Sequence, residues 1–165
     1  MAYQILFNGQ PWDREESLVR SMNAQPCVFA PHDPETCEVV FERLRGAARR
    51  GGFLTYAALV RGVTFRVRDS EGVLGPYVID ADLLRAKDEA IILDFGRYIG
   101  AATYRDSKVL LNALLVPDAR RGRPADAFFT WAMSIGLPLG DPRLRVWDGT
   151  RYAREVAKIQ QAYRA

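Results

Sequence analysis

The stretch from Asp33 to Gly52 constrains the fold most, because it predicts a helix whose start, buried face and end are all marked. Asp33 before Pro34 is a favourable N-cap followed by a favourable first helical residue. The pair Gly51-Gly52 is typical of a helix end. Between them, apolar residues recur at spacings of three and four, which indicates one buried helical face: Cys37, Val40, Phe41, Leu44 and Ala48.

A second, shorter helix and a β-hairpin are predicted to follow. Thr55 is a suitable N-cap for a helix that closes at Gly62. Residues 63–68 alternate apolar and polar side chains, which is typical of a half-buried strand, and residues 73–79 return as a second strand. Gly75-Pro76 predicts that this second strand is irregular or lies at an edge. The order of helix, short helix and hairpin predicts a winged helix-turn-helix-like arrangement.

The rest of the chain predicts three helices and one buried strand. Asp80 is expected to cap a long helix that runs to about Tyr104. The apolar run at residues 109–116 suits a central strand covered on both faces. A helix is expected from Asp126 to Gly136, and a last one has apolar side chains at helical spacing: Tyr152, Val156, Ile159 and Tyr163.

The composition is that of one globular domain. The chain has 165 residues, of which 48% are hydrophobic and 26% are charged, as is usual for a single domain. The predicted fold class is α+β, a single domain with a small β-sheet. Residues 1–37 are expected to form an N-terminal strand, at 3–7, and a connector. Residues 38–165 are expected to form the winged-helix-like part of the same compact unit.

No membrane or export segment is expected. The first residues, Met1 to Gln4, lack the basic start of a signal peptide. The longest apolar stretches, at 90–93 and 113–116, are far shorter than the roughly 20 residues that span a bilayer. We therefore expect a cytoplasmic protein.

Residues that commonly bind metals or cofactors are few. Cys27, His32 and Cys37 lie close in sequence, but a zinc site needs four ligands and His32 is the single histidine. His32 is therefore expected in a surface loop. Glycine-rich nucleotide-binding motifs are absent from the sequence. We expect no catalytic residue set, no metal and no cofactor.

Arginine is the most informative residue type for function. Of 23 basic residues three are lysines, at 87, 108 and 158, which leaves 20 arginines and a net charge of +3. A guanidinium is a planar group whose hydrogen-bond donors match phosphate. Arginine-rich codon usage in a GC-rich genome produces the same excess of arginine over lysine. The arginines concentrate in residues 43–68, which contain no acid, and in the loop 117–124. The predicted nucleic-acid-binding residues are Arg43, Arg45, Arg49, Arg50, Arg61, Arg66, Arg68, Arg120, Arg121 and Arg123.

The loop 117–124 gives the most direct link to function. Only Asp118 and Asp126 lie close enough in sequence to pair with its three arginines. At least one guanidinium should therefore be free for an external phosphate. The leading hypothesis is a non-catalytic protein that binds nucleic acid, duplex DNA foremost, through phosphate contacts. The other interpretation of the arginines is an exposed surface of weak ion pairs.

A protein-binding module is an alternative function, for example an inhibitor of a host or phage enzyme. Trp12, Trp131 and Trp147 are of a residue type that is enriched at binding hot spots. The aromatic neighbours of Trp131 also suit a core position.

A metal-dependent nuclease is the second alternative. Hard carboxylate oxygens suit magnesium or manganese, and on a helix Asp80, Lys87 and Asp94 would share one side. A solvated helix face has the same pattern. The candidate ligands are Asp80, Asp82, Asp88, Glu89, Asp94 and Glu155.

Five short stretches occur in the order that is seen in one protein family. They are Ala48-Arg49-Arg50-Gly51, Thr55-Tyr56-Ala57-Ala58-Leu59, the apolar segment 110–116, the turn and double Phe at 122–129, and the segment 152–159. The chain thereby resembles, over residues 38–163, a family of small uncharacterised proteins of phages, plasmids and genomic islands. The family's acidic residue in the Thr-Tyr element and its turn glycines are replaced by alanine here. This resemblance implies a protein of a phage or other mobile element.

The same order is remotely similar to the DNA-binding domain of alkylguanine-DNA alkyltransferases. Those enzymes carry a Thr-Tyr-x-x-Leu element and a reactive Cys after an apolar strand. The resemblance implies a winged-helix scaffold that binds DNA. Residues 117–124 contain no Cys, so alkyl transfer to a thiol is not expected.

Overall fold

The computed structural model describes residues 21–22, 26–141, 143 and 149–164. Within them the fold is α+β, and no helix is long and apolar enough to cross a membrane. The expected strand at residues 3–7 lies outside the described residues. The elements in chain order are α1 (Pro34–Arg49), β1 (Leu54–Thr55), α2 (Tyr56–Val60), β2 (Thr64–Arg68), β3 (Leu74–Val78), α3 (Ala86–Ser107), β4 (Leu115–Val116), α4 (Asp126–Ser134) and α5 (Thr150–Tyr163), with 3₁₀ turns at Ala30–His32 and Leu111–Leu114.

The predicted first helix is confirmed as α1. Asp33 Oδ1 accepts a hydrogen bond from the Thr36 backbone N–H at 3.2 Å, and Pro34 takes the first helical position. This cap satisfies one of the donors that a helix start leaves open. The boundary drawn between residues 37 and 38 falls inside this helix. The predicted apolar face points inward, with four of its members buried: Cys37, Val40, Leu44 and Ala48.

The predicted short helix and hairpin are also confirmed. Thr55 Oγ1 accepts a hydrogen bond from the Ala58 backbone N–H at 3.2 Å and caps α2. Strands β2 and β3 pair antiparallel, with Phe65 opposite Tyr77. Alternate residues of β2 are buried and exposed, as its sequence predicts.

One buried carboxylate joins this hairpin to α1. Asp33, which caps α1 with Oδ1, accepts a hydrogen bond at Oδ2 from the Arg66 backbone N–H at 2.7 Å. Thr36 Oγ1 donates to the Thr64 carbonyl at 3.3 Å. The order of helix, short helix and hairpin is therefore present and held together, whereas its use as a winged helix stays a prediction.

The predicted start of the long helix at Asp80 is wrong. Asp80 Oδ1 accepts the Asp82 backbone N–H at 2.9 Å and so closes a local turn. Helix α3 begins six residues later, at Ala86, where the Arg85 backbone N–H donates to Asp88 Oδ2 at 2.8 Å. Asp80 is thus not on the helix, and it shares no helical face with Lys87 and Asp94.

The predicted central strand at residues 109–116 is also wrong. Leu111–Leu114 is a 3₁₀ turn, and only Leu115–Val116 is a strand, β4. Burial itself was predicted correctly, because all of residues 109–116 are buried. An apolar run predicts burial, but its periodicity does not separate a strand from a tight helical turn.

The 3₁₀ turn is held from two sides by long helices. On one side, Asn112 lies against Gly100 of α3, where an alanine Cβ would overlap with Asn112 Oδ1. On the other side, α5 contributes two hydrogen bonds. Tyr152 Oη donates to the Ala113 carbonyl at 2.9 Å, and Glu155 Oε1 accepts the Leu110 backbone N–H at 2.9 Å.

The short parallel pair β1–β4 positions the segments that follow it. Leu54 pairs with Leu115 and Thr55 pairs with Val116. Because the strands are parallel, their carboxyl ends lie at the same edge of the pair. Helix α2 and the arginine loop, defined here as residues 117–124, therefore leave from the same edge.

The Gly100→Ala substitution is expected to lower the free energy of unfolding by about 1–2 kcal/mol. Overpacking costs about 1–3 kcal/mol, and the better helix propensity of alanine returns up to about 1 kcal/mol. Gly52→Ala is the matched control, since nothing lies within 4 Å of its Cβ position. Urea denaturation of both variants measures the effect, and equal stability of the two would contradict the described contact.

Candidate functional site

Arg43, a predicted phosphate ligand, has a structural position. Its Nη1 donates to the carbonyls of Ala58, Leu59 and Arg61 at 2.9, 2.7 and 2.9 Å. These carbonyls lie at the C-terminal end of α2, where the last helical acceptors are left open and a cation is favourable. Arg43 therefore fixes α2 against α1.

Four other arginines of the 43–68 segment have contacts within the protein. Arg45 pairs with Glu42 at 2.6 Å, and Arg68 Nη1 donates to the Gly72 carbonyl at 2.7 Å. The two remaining pairs are longer and solvent-exposed, Arg61 with Asp82 at 3.5 Å and Arg66 with Glu35 at 3.7 Å. Exposed ion pairs of this kind contribute about 0–1 kcal/mol, so Arg61 and Arg66 are readily available to another anion.

Arg49 and Arg50 differ from these, because their guanidinium groups have no ion pair or hydrogen bond with any described residue. Both are exposed, at the C-terminal end of α1. Arg66 lies near Glu35 at the opposite end of the same helix. With a rise of about 1.5 Å per residue, the two ends of α1 are roughly 22 Å apart. The structure thus spreads the arginines of residues 43–68 along α1 and does not gather them at one point.

Within the described part of the chain, one guanidinium of the arginine loop is unpaired, in agreement with the prediction of at least one. Asp118 Oδ1 accepts the backbone N–H groups of Arg120 and Arg121 at 2.7 and 3.1 Å, which folds the loop. The Arg121 side chain lies 3.9 Å from Asp118, and Arg123 pairs with Asp126 at 3.3 Å. Among the described residues, nothing bonds to the Arg120 side chain. Glu155 of α5 has its contacts elsewhere, with the Leu110 backbone N–H and with Lys158.

The carboxylates that were proposed as nuclease ligands mostly have structural contacts. Asp94 accepts the backbone N–H groups of residues 28, 29 and 30 at 2.8–2.9 Å. Asp88 accepts from the Tyr77 hydroxyl at 2.7 Å and from the Arg85 N–H. In the described part of the chain, no group of three His, Cys, Asp or Glu residues is placed to hold a metal ion.

The cysteines are free and unreactive in character. Burial raises the pKa of the Cys27 thiol to about 12, with a further contribution from the charge of Asp94. Burial and the charge of Asp33 raise the pKa of the Cys37 thiol to about 12 as well. His32 is exposed, as expected for a loop histidine.

Trp131 belongs to the core. It is buried on α4 and packs at a ring-centroid distance of 6.0 Å from Phe128. The other two tryptophans, Trp12 and Trp147, lie outside the described residues. Because its side chain is buried, Trp131 does not support a protein-binding surface.

A cavity of about 260 Å³ lies between α3 and α4 and was not predicted from the sequence. We call it the α3–α4 cavity. The signal that could have found it is Asn112, a polar residue inside the apolar run 109–116. Six of its lining residues define its character: Tyr56, Leu93, Arg97, Asn112, Phe128 and Trp131.

The cavity lies beside the arginine loop. Leu115 of β4 lines the cavity just before the loop, and Ala127 and Phe128 line it just after the loop. Tyr56, the first residue of α2, also contributes to the wall. The cationic loop and the aromatic cavity are therefore neighbours at the same edge of the β1–β4 pair.

Comparison with known proteins finds no match: neither a family model nor a curated protein nor a solved structure is significantly similar to this chain. The resemblances drawn from its short motifs stay predictions.

Substitution of Arg43 by alanine is expected to lower the free energy of unfolding by about 1–2 kcal/mol, because hydrogen bonds from a charged donor are lost at the end of α2. Arg49→Ala removes the same charge without removing a contact, and it should change stability by less than about 0.5 kcal/mol. Urea denaturation compares them. Equal effects would show that Arg43 does not hold α2.

Stability is expected to fall as the pH rises above about 9, because Cys27 and Cys37 ionise near that pH only in the unfolded chain. Their contribution is complete below pH 9 and is lost as the pH approaches about 12. Denaturation midpoints at pH 8 and pH 10 measure this loss. The double variant Cys27→Ala/Cys37→Ala should show a smaller fall, and an unchanged fall would assign it to other groups.

Proposed function

We propose that this chain is a non-catalytic nucleic-acid-binding protein that contacts the phosphates of duplex DNA through arginines. The observation that carries the proposal is the set of three guanidinium groups, on Arg49, Arg50 and Arg120, that lack a partner among the described residues. An unpaired guanidinium on the surface is the group that phosphate binds with bidentate geometry. The net charge of +3 favours the same class of partner.

Two further arginines with weak, exposed ion pairs extend the proposed set of phosphate contacts. Arg61 and Arg66 are bound to Asp82 and Glu35 only by long contacts in solvent, and a phosphate can replace such partners at small cost. In a winged-helix arrangement α2 would approach a groove, and the hairpin would reach the backbone with Arg66 and Arg68. Arg43 would hold α2 in position for this approach through its hydrogen bonds to the carbonyls at the end of α2.

The motif order of residues 38–163 supports an origin in a phage or other mobile element. The proposed binding of DNA does not depend on this origin. It depends on the arginines and is tested through them.

Phosphate contacts predict a steep dependence of affinity on salt, since each one releases a counterion. Fluorescence anisotropy with a labelled duplex of mixed sequence, at salt from 50 to 200 mM, measures that slope. In the triple variant Arg49→Ala/Arg50→Ala/Arg120→Ala, the logarithmic slope should decrease in magnitude by about 2–3 and the affinity should fall.

The matched control removes three arginines that have partners in the protein, Arg105, Arg143 and Arg151. It has the same net charge as the triple variant, so a general charge effect would weaken both equally. Absence of duplex binding by the unaltered protein at micromolar concentration, or equal slopes in the two triple variants, would refute the proposal.

A further inference from the structure

The α3–α4 cavity contains polar groups that lack the partners a packed core would supply. Tyr56 Oη, Arg97 Nε and Asn112 Oδ1 are buried and have no hydrogen bond to any described residue. All three residues line the cavity. Unsatisfied buried polar atoms are rare in folded proteins, and each costs about 1–3 kcal/mol unless something binds to it. Three of them at one cavity indicate a missing partner.

The chemistry of these three atoms specifies that partner. Burial, together with the charge of Glu89, raises the pKa of Tyr56 to about 12, so its hydroxyl keeps its proton and can donate. Arg97 Nε–H is a second donor, and Asn112 Oδ1 is an acceptor. A ligand that satisfies all three must offer both a hydrogen-bond acceptor and a donor. A cyclic amide carries both groups on one edge.

The rest of the wall specifies the shape of the ligand. Phe128 and Trp131 contribute aromatic rings that are 5% and 7% exposed, and such rings favour a flat partner. Ala90 and Ala127 also line the cavity but are exposed, so they mark its side towards solvent. A cavity of about 260 Å³ is just below the usual range for drug-sized ligands.

We infer that the α3–α4 cavity is a binding site for a small planar heterocycle with an amide edge, the chemistry of an oxopurine or oxopyrimidine base. The inference stands on the cavity and its unpartnered atoms, and it does not rest on the proposed binding of duplex DNA. Nearby, the arginine loop adds a cationic rim that would favour a ligand carrying phosphate.

Titration calorimetry with hypoxanthine and purine tests the amide edge. The two bases have the same ring system, but purine lacks the carbonyl oxygen and the adjacent N–H. Hypoxanthine should bind to the protein, and purine should bind at least tenfold more weakly, since it cannot complete the hydrogen bonds.

Two variants locate the binding. Tyr56→Phe removes only the hydroxyl and should weaken the affinity for hypoxanthine about three- to tenfold while leaving the affinity for purine unchanged. Tyr163→Phe, away from the cavity, is its control.

Ala127→Phe places a ring at the exposed side of the cavity and should abolish binding. Ala157→Phe adds the same ring on the exposed face of α5 and should have no effect. Circular dichroism confirms that each variant is folded.

A competition experiment distinguishes two sources of the base. A single-stranded oligonucleotide that carries one deoxyinosine among thymidines is added to the hypoxanthine complex. Displacement assigns the site to a base within a strand, and no displacement assigns it to a free base or nucleotide.

Three results would overturn the inference: no heat with millimolar hypoxanthine, equal affinity for purine, or full binding by the Ala127→Phe variant. The polar atoms would then be bound to water inside a packing void. Duplex binding by the arginines is measured separately, and Tyr56→Phe should leave it unchanged. Each of the two proposals can therefore be refuted independently of the other.

Discussion

The close contact between Gly100 and Asn112 is the constraint on which the α3–α4 cavity and the arginine loop depend. No side chain larger than a hydrogen fits at residue 100, so the 3₁₀ turn can lie directly on α3. The turn leads straight into β4, whose pairing with β1 sets the start of the arginine loop and the position of Tyr56. This contact therefore helps to fix the positions of the α3–α4 cavity, the arginine loop and α2 relative to one another.

Arginine occurs in two different structural settings in this chain. Arg43 binds three carbonyls at the end of α2 and is part of the scaffold, whereas Arg49, Arg50 and Arg120 bind nothing among the described residues. The same residue type within the same short segment can therefore hold two helices together or have no partner among the described residues. Only the three-dimensional contacts separate the two, which is why composition pointed to phosphate but could not select the residues.

Local signals in the sequence determined what could be predicted of the fold. The Asp33 cap, the Thr55 cap and the alternation in β2 act within a few residues, and all three were correct. Asp80 has the same capping chemistry, yet it closes a turn because Asp88 takes over the helix start. Asn112, a polar residue inside an apolar run, was the one local hint of the cavity. Its other members could not be predicted, since Tyr56 and Arg97 are far from Asn112 in sequence and meet it only through tertiary packing.

The parallel pair β1–β4 joins residues about 60 positions apart through four residues in all. Closing so long a loop costs chain entropy that such a small pair cannot repay alone, so the pair forms together with the core around it. The cavity wall likewise joins distant parts of the chain. A chain that ends before β4 would lack Leu115, Phe128 and Trp131, and with them one side of the α3–α4 cavity.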